Sequence, residues 1–265
     1  MIKSILWDVD GTLAETERGG HLIAFNQAFE ALDVPWRWSE ERYGELLSVA
    51  GGRERLIHDM QCRTRAPTNP HEREALAGRV HRCKNEFYAT IVASGALPLR
   101  EGVRELLEDC ERAGLRLGIV TTTSRANVEA LLKTHLGTDW ESKFAAVVCA
   151  EEAPRKKPDP QAYLLALQAL QLRSHEVIAM EDAPAGVAAA QAAGVPVIVT
   201  RSHYFSAVKA EDALAIGPSL GRCEGWRPTA GARTKRIGLE QIIRWYEQSP
   251  WTSPCDSHDS RTAVC

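Results

Sequence analysis

Five short apolar runs, at residues 2–7, 115–120, 145–150, 177–180 and 195–200, set the framework of the chain. Each is nearly continuous rather than alternating, as expected of parallel strands covered on both faces. Helical patterns separate them: 102–113 precedes Gly114, 124–136 precedes Gly137 and 184–193 precedes Gly194, each glycine standing where a helix takes its left-handed stop. Asp159-Pro160 supplies an N-cap and a first-turn proline for a helix running to about residue 172. Strand and helix thus alternate from about residue 100 onward, which predicts an α/β core, a doubly wound, Rossmann-like parallel sheet.

The interval between the first and second runs breaks that alternation. Residues 21–32, 40–49, 53–65 and 71–92 carry helical periodicity with almost no strand pattern. They predict a helical-bundle cap inserted into the core on two linkers, the outgoing one loosened by Gly19-Gly20 and the return one closed by Pro98. The division is then a discontinuous core of residues 1–15 and 94–248, a cap of 16–93, and a disordered tail of 249–265, rich in Pro, Ser, Asp and Thr. With 265 residues, 44% of them hydrophobic, the chain can bury a core and still carry the smaller domain. Trp36, Trp38 and Tyr43 read as cap core, and the Gly- and Arg-rich stretch 219–236 as a surface loop.

Polar stations fall where the apolar runs end. Asp8 and Asp10 follow the first, Thr121 the second, and Glu181-Asp182 the fourth, while Lys157 lies in a loop between strands. Ligands of open parallel sheets bind at the carboxyl ends of the strands, so these stations can converge although they are far apart in sequence. Four carboxylates gathered in one place repel one another, and such a site makes physical sense around a cation. Oxygen-only donors suit a hard ion, so Asp8, Asp10, Glu181 and Asp182 are predicted to hold Mg2+.

The formal net charge of -3 argues against a nucleic-acid surface. No apolar stretch is long enough to cross a bilayer, and the N-terminus is too short and too soon acidic for a signal peptide. The expectation is a cytoplasmic monomer acting on a small molecule. Seven cysteines without a Cys-x-x-Cys pair read as reduced structural thiols.

The four stations, Asp8-Val9-Asp10-Gly11-Thr12, Thr121, Lys157-Pro158 and Glu181-Asp182, resemble the motifs of the haloacid dehalogenase superfamily of phosphatases and mutases, in the branch with an inserted helical cap that includes β-phosphoglucomutase. The segments Leu13-Ala14-Glu15-Thr16-Glu17, Gly51-Gly52-Arg53-Glu54-Arg55, Cys83-Lys84-Asn85 and Thr121 to Asn127 are similar to the CbbY-type phosphatases of autotrophs. Those enzymes act on xylulose 1,5-bisphosphate, a misfire product and inhibitor of rubisco. The segment Arg18-Gly19-Gly20-His21 looks one residue longer than in that family.

A phosphate monoester dianion repels a carboxylate, so Asp8 can attack phosphorus only with metal and Lys157 neutralising the encounter. Asp8 is the expected nucleophile, Asp10 the acid and base, and Thr121 with neighbouring backbone N–H groups the cradle of the phosphoryl oxygens. The resemblance further implies that the Asp10 carbonyl is a metal ligand, that Glu17 meets a substrate hydroxyl, and that Thr122, Thr123 and Asn127 help to bind substrate. It assigns the distal phosphate to the cap region of Gly51, Gly52, Arg53, Arg55, His81, Arg82 and Lys84, where the Gly51-Gly52 break opens a helix start to an anion. A sugar bisphosphate phosphatase and a phosphomutase share every one of these motifs. A phosphorylated receiver domain needs neither the second acid nor a lid.

Overall fold

The structure, a computed structural model, describes residues 1–231 and 235–252. Six strands, β1 (Ser4–Trp7), β2 (Arg116–Val120), β3 (Ala146–Val148), β4 (Val177–Glu181), β5 (Val197–Thr200) and β6 (Ala215–Gly217), form one sheet in the order β3-β2-β1-β4-β5-β6. Every pairing is parallel. The register sets Trp7 of β1 opposite Ile119 of β2 and Met180 of β4. The central strands therefore end almost level, which brings Asp8, Thr121, Glu181 and Asp182 to one edge of the sheet. Helices α5 (Val103–Arg112), α6 (Arg125–Leu136), α7 (Gln161–Leu170), α8 (Pro184–Ala192) and α9 (Leu239–Glu247) cover the core. Gly114, Gly137 and Gly194 follow three of them with positive φ, as their positions predict. Apolar residues bury on both faces of the sheet, Ile5 and Ile119 on one side and Leu6 and Ala179 on the other.

The sixth strand was not predicted. Its apolar run, residues 213–216, is shorter than the 145–150 run that marks the equally short β3, and its place is fixed by backbone bonds from Leu214 N to Val197 O and from Arg201 N to Gly217 O, both 2.8 Å. The stretch read as a surface loop holds it in place. Ile216 and Arg227 exchange backbone bonds of 2.8 and 2.9 Å, and Trp226, 3% exposed, packs over Gly217 and stacks on Trp245 with ring centroids 5.0 Å apart. Residues 219–231 thus close the sheet edge with an aromatic plug.

The cap helices are α1 (Leu22–Ala31), α2 (Glu40–Leu46), α3 (Gly52–Gln61) and α4 (Pro70–Ala93). Ser39 caps α2 by accepting from Arg42 N at 3.1 Å, and Asn69 caps α4 just before its first-turn proline. The four helices enclose a separate apolar cluster of Phe25, Phe29, Trp38, Tyr43, Leu56 and Met60, with Trp36 packed at its margin. Tyr88 and Val92 of α4 join the core cluster instead, so the cap also rests on the body.

The two linkers run side by side. Ala14 bridges Leu99, and Arg100 N donates to Leu13 O at 2.8 Å. Gly19-Gly20 does not loosen the outgoing linker: residues Glu17–His21 form a π-helical turn, closed by Leu22 N on Glu17 O, that runs straight into α1. A Cβ on Gly20 would lie 2.7 Å from Leu97 Cδ1 and 2.9 Å from Tyr88 Cε2, so glycine here serves close packing.

Residues 250–252, assigned to a disordered tail, instead form a 3-10 turn against α9, and 253–265 lie outside the described residues. Cys62, Cys83, Cys110 and Cys149 are free thiols. No described helix is long and apolar enough to cross a membrane.

Trp226→Ala should lower the unfolding free energy in urea by about 3–5 kcal/mol, the usual loss for a buried Trp. A loss below about 1 kcal/mol would return the 219–231 stretch to a dispensable surface loop.

Candidate active site

Asp8 leaves β1 at the sheet edge, its N–H bonded to Met180 O at 3.0 Å. Lys157, from the loop before α7, reaches it beneath the end of β2. Its Nζ lies 2.7 Å from Asp8 Oδ1, 2.6 Å from Glu181 Oε1 and 2.8 Å from Val120 O. The ammonium therefore spends all three donors on partners at the ends of β1, β2 and β4. Tyr163 of α7 also donates to Glu181 Oε1, at 2.5 Å.

Two glycines make room for the remaining acid groups. An ideal Cβ on Gly11, whose φ is +85°, would sit 2.1 Å from Asp182 Oδ2, and one on Gly186 would sit 1.9 Å from Glu181 Oε2. Neither position could carry a side chain without displacing a carboxylate.

Asp8, Glu181 and Asp182 are all buried, with one oxygen of each within 4.8 Å of the others. Burial pushes the Asp8 carboxyl up to about 7; Lys157 opposes the rise and Glu181 adds to it. Burial and the neighbouring Asp8 likewise hold Asp182 well above the carboxylate range. Lys157 is driven up by Asp8 and Glu181 against the cost of its burial. One ammonium does not balance three buried acids, and the donors are oxygens alone, so the cluster fits a hard divalent ion such as Mg2+.

The side chain of Asp10 is directed differently. Its Oδ1 accepts from Thr16 Oγ1 at 2.5 Å and meets His21 Nε2 at 2.9 Å, so it is tied to the start of the cap rather than to the metal-ligand cluster. Burial opposes ionisation, but the charge and hydrogen bond of His21 and the bond from Thr16 outweigh it, and the carboxyl lies far below its usual range. The Asp10 side chain, predicted to join the metal ligands, is thus not one of the clustered carboxylates Asp8, Glu181 and Asp182. His21 is held by stacking on Tyr88, with ring centroids 4.3 Å apart.

Above these groups lies a cavity of about 360 Å³ between core and cap. Most of the predicted substrate contacts line it: Glu17, Gly51, Gly52, Arg53, Arg55, His81, Lys84, Thr122, Thr123 and Asn127, together with Thr121. Arg82 does not. It is exposed and outside the lining, because one residue along a helix rotates it about 100° from His81, whereas Lys84 and Tyr88 return to the inner face. The Thr121 hydroxyl accepts from Thr123 N at 3.2 Å, and Asn127 Nδ2 holds Thr123 Oγ1 at 3.1 Å, which fixes the loop after β2.

The cap side is strongly cationic. Lys84, 3% exposed, has no ion pair among the described residues; its Nζ sits 4.8 Å from the Tyr88 ring centre and 3.4 Å from Asn85 Oδ1. Burial pulls it down to about 8, against the attraction of Asp10 and Glu17. Arg55 is buried against Glu17, 3.6 Å away, and donates to Tyr43 OH at 3.2 Å. Tyr43 in turn donates to Glu17, so this ring belongs to the cap core and also orients a cavity carboxylate. Arg53, half exposed at the rim, pairs with Glu74 of α4.

Several of these groups gave no sequence signal. Thr16, His21, Tyr43 and Tyr163 act through contacts that depend on helix register. Arg100 clamps the site from outside: it donates to the carbonyls of Gly11, Thr200, Arg201 and Pro218, joining the loop after β1 to those after β5 and β6. Carbonyl partners leave no trace in a sequence.

The chain matches the haloacid dehalogenase-like hydrolase family over residues 2–194. It is 41% identical to the plasmid-borne CbbY protein of Cupriavidus necator over 247 residues, covering 92% of this chain and 97% of that one. A crystal structure of CbbY from Rhodobacter sphaeroides in complex with xylulose-(1,5)bisphosphate is 36% identical, with a TM-score of 0.78 over 85% of this chain and 97% of the other. A β-phosphoglucomutase from Clostridium difficile, 19% identical, shares the fold over 93% of this chain and 98% of its own with a TM-score of 0.70. The strand-end acids, their lysine and the helical lid are thus found where the family alignment runs, and the chain belongs to the haloacid dehalogenase-like hydrolases, with CbbY proteins among its relatives.

Proposed function

We propose that this protein is a Mg2+-dependent phosphatase that removes one phosphate from a sugar bisphosphate, most specifically xylulose 1,5-bisphosphate. The observation that carries the reading is the pairing of two differently treated acids under one cationic lid. Asp8 is neutralised from below by Lys157, whereas Asp10 is tied to His21 and Thr16. The likeness to CbbY, one of whose structures holds xylulose-(1,5)bisphosphate, supports the choice of substrate.

In this reading Asp8 attacks the phosphorus, the bond from phosphorus to the sugar oxygen breaks, and an aspartyl phosphate forms. Asp10 gives its proton to the leaving alkoxide and then takes one from the water that hydrolyses the intermediate. An approaching phosphate dianion raises the proton affinity of Asp10. Lys157 balances charge on Asp8, and the Thr121 hydroxyl with the Thr122 N–H holds phosphoryl oxygens. Bound at Asp8, Asp182 and Glu181, with the Asp10 carbonyl, Mg2+ supplies charge neutralisation for phosphate and carboxylate. The cavity cations Arg53, Arg55 and Lys84 meet the second phosphate. The product is inorganic phosphate, since nothing in this chemistry requires the phosphoryl group to return to a sugar.

Two measurements test the reading. In metal-free protein Asp8, raised to about 7, holds a proton between about pH 4 and 7 where the unfolded chain has lost it. The unfolded state then binds fewer protons, so this group makes stability fall as pH rises through that window. His81, lowered to about 4 by burial, pushes stability the other way, but equally with and without metal. The gain in melting temperature on adding magnesium should therefore grow from pH 5 to pH 8. A gain independent of pH would contradict a metal seated on these carboxylates.

The wild type should release one phosphate from xylulose 1,5-bisphosphate, leave a sugar monophosphate, and prefer the bisphosphate over the matching monophosphate. Arg53→Ala should cut that preference by about tenfold, the worth of one charge-assisted contact. A product retaining both phosphates would instead identify a mutase. Equal slowing of both substrates by Arg53→Ala would remove Arg53 from the distal site.

A further inference from the structure

The ion pair between Lys156 and Glu54 crosses the cavity from the core to the cap, with Nζ 2.5 Å from Oε1. Lys156 belongs to the core loop that carries Lys157, and Glu54 lies in the first turn of α3. Both line the cavity. The Glu54 carboxylate folds back onto its own helix start: an ideal Cβ on Gly51, whose φ is +95°, would lie 2.2 Å from Glu54 Oε2 and 2.3 Å from Lys156 Nζ. Only glycine lets the acid and the ammonium meet at this spot. His81 closes the same corner, its ring 3.2 Å from the corresponding point on Gly52. Glu54 thus occupies the place that an external anion would take at the N-terminus of α3, with a lysine contributed by the other domain as its counter-ion.

A second observation points to a ligand here. Lys84 of α4 lines the same cavity, is 3% exposed, and has no carboxylate within ion-pair distance among the described residues. A buried ammonium with only Asn85 Oδ1 at 3.4 Å and aromatic faces nearby is under-satisfied. The cavity therefore holds a cation awaiting an anion and an acid standing in for one.

Resting on the bisphosphate reading above, we propose that Glu54 is an internal surrogate for the second phosphate: the distal phosphate displaces the Glu54 carboxylate, takes Lys156 as its own partner, and so joins core to cap through the substrate. Lys156 becomes a specificity-determining residue contributed by the core, and Glu54 a competitor that a monophosphate cannot dislodge. A doubly charged phosphate outcompetes a carboxylate for Lys156 and the helix start, whereas a neutral sugar end does not. The exchange also keeps the lid shut in both states, first by Glu54 and then by the ligand.

The two halves of the pair then have opposite effects, which no purely structural latch would give. The quantity to read is the ratio of kcat/KM for xylulose 1,5-bisphosphate to that for the matching monophosphate. Lys156→Met should lower the ratio about tenfold and Glu54→Gln should raise it about threefold, the first figure being one charge-assisted contact and the second its partial relief. A shift of both variants in the same direction would overturn the exchange and leave a simple latch. Amide hydrogen exchange in the first turn of α3 supplies an arm independent of substrate identity. Titrated with inorganic phosphate alone, the wild type should gain protection at these amides and Lys156→Met should not. If the wild type shows no preference for the bisphosphate yet phosphate still protects α3 through Lys156, the substrate reading fails while the exchange stands. If phosphate protects no amide there, the exchange is wrong whatever the substrate.

Discussion

Everything at the sheet edge depends on one ammonium. Lys157 Nζ contacts Asp8, Glu181 and the Val120 carbonyl, and so ties the ends of three strands and the loop before α7 to a single buried charge. Without it, Asp8, Glu181 and Asp182 would present three buried acids with no countercharge within bonding distance, an arrangement that burial alone drives toward protonation. With it, the cluster is still two positive charges short, which leaves room for a divalent ion. Gly11 and Gly186 let the acids crowd this closely, and Arg100 holds the loops from behind.

The lid is connected to that centre through Asp10. Its carboxylate is bonded to Thr16 and His21, at the first turn of the cap, while its backbone belongs to the core loop. The Asp10 carboxylate is therefore fixed by the position of the cap. His21 closes the π-helical turn Glu17–His21 and meets Asp10 from there. On the far side of the cavity, the Lys156–Glu54 pair makes a second link between the same two bodies. Core and cap are thus joined at two points around one cavity.

How much of this was legible follows from the kind of signal each residue leaves. The first five strands and their helices were readable because a strand covered on both faces writes a continuous apolar run, and Asp8, Thr121, Glu181 and Asp182 because each stands at a strand end, while Lys157 was readable through its Lys-Pro motif. The run at β6 is only residues 213–216, shorter than the one that marks β3, and the stretch packed on it looked like loop because it is rich in Gly and Arg around Trp226. On the cap, a run of basic residues does not say which of them face inward: His81 and Lys84 do, Arg82 does not. Tyr43 was readable as core but not as the donor to Glu17, since that bond joins helices whose relative placement is tertiary. Gly19-Gly20 suggested slack where the fold needed thin backbone beside Leu97 and Tyr88.

The central claim is that the buried, lysine-bound Asp8 is the atom donor to phosphorus. It is tested most directly by mixing protein, magnesium and excess bisphosphate, quenching with acid within the first turnover, and mapping the peptides by mass spectrometry. The account predicts a phosphoryl group on the peptide beginning the chain, localised to Asp8, and none when residue 8 is changed by Asp8→Asn. Rapid release of inorganic phosphate with no phosphorylated peptide at any time point, or phosphate transfer that persists in Asp8→Asn, would contradict it.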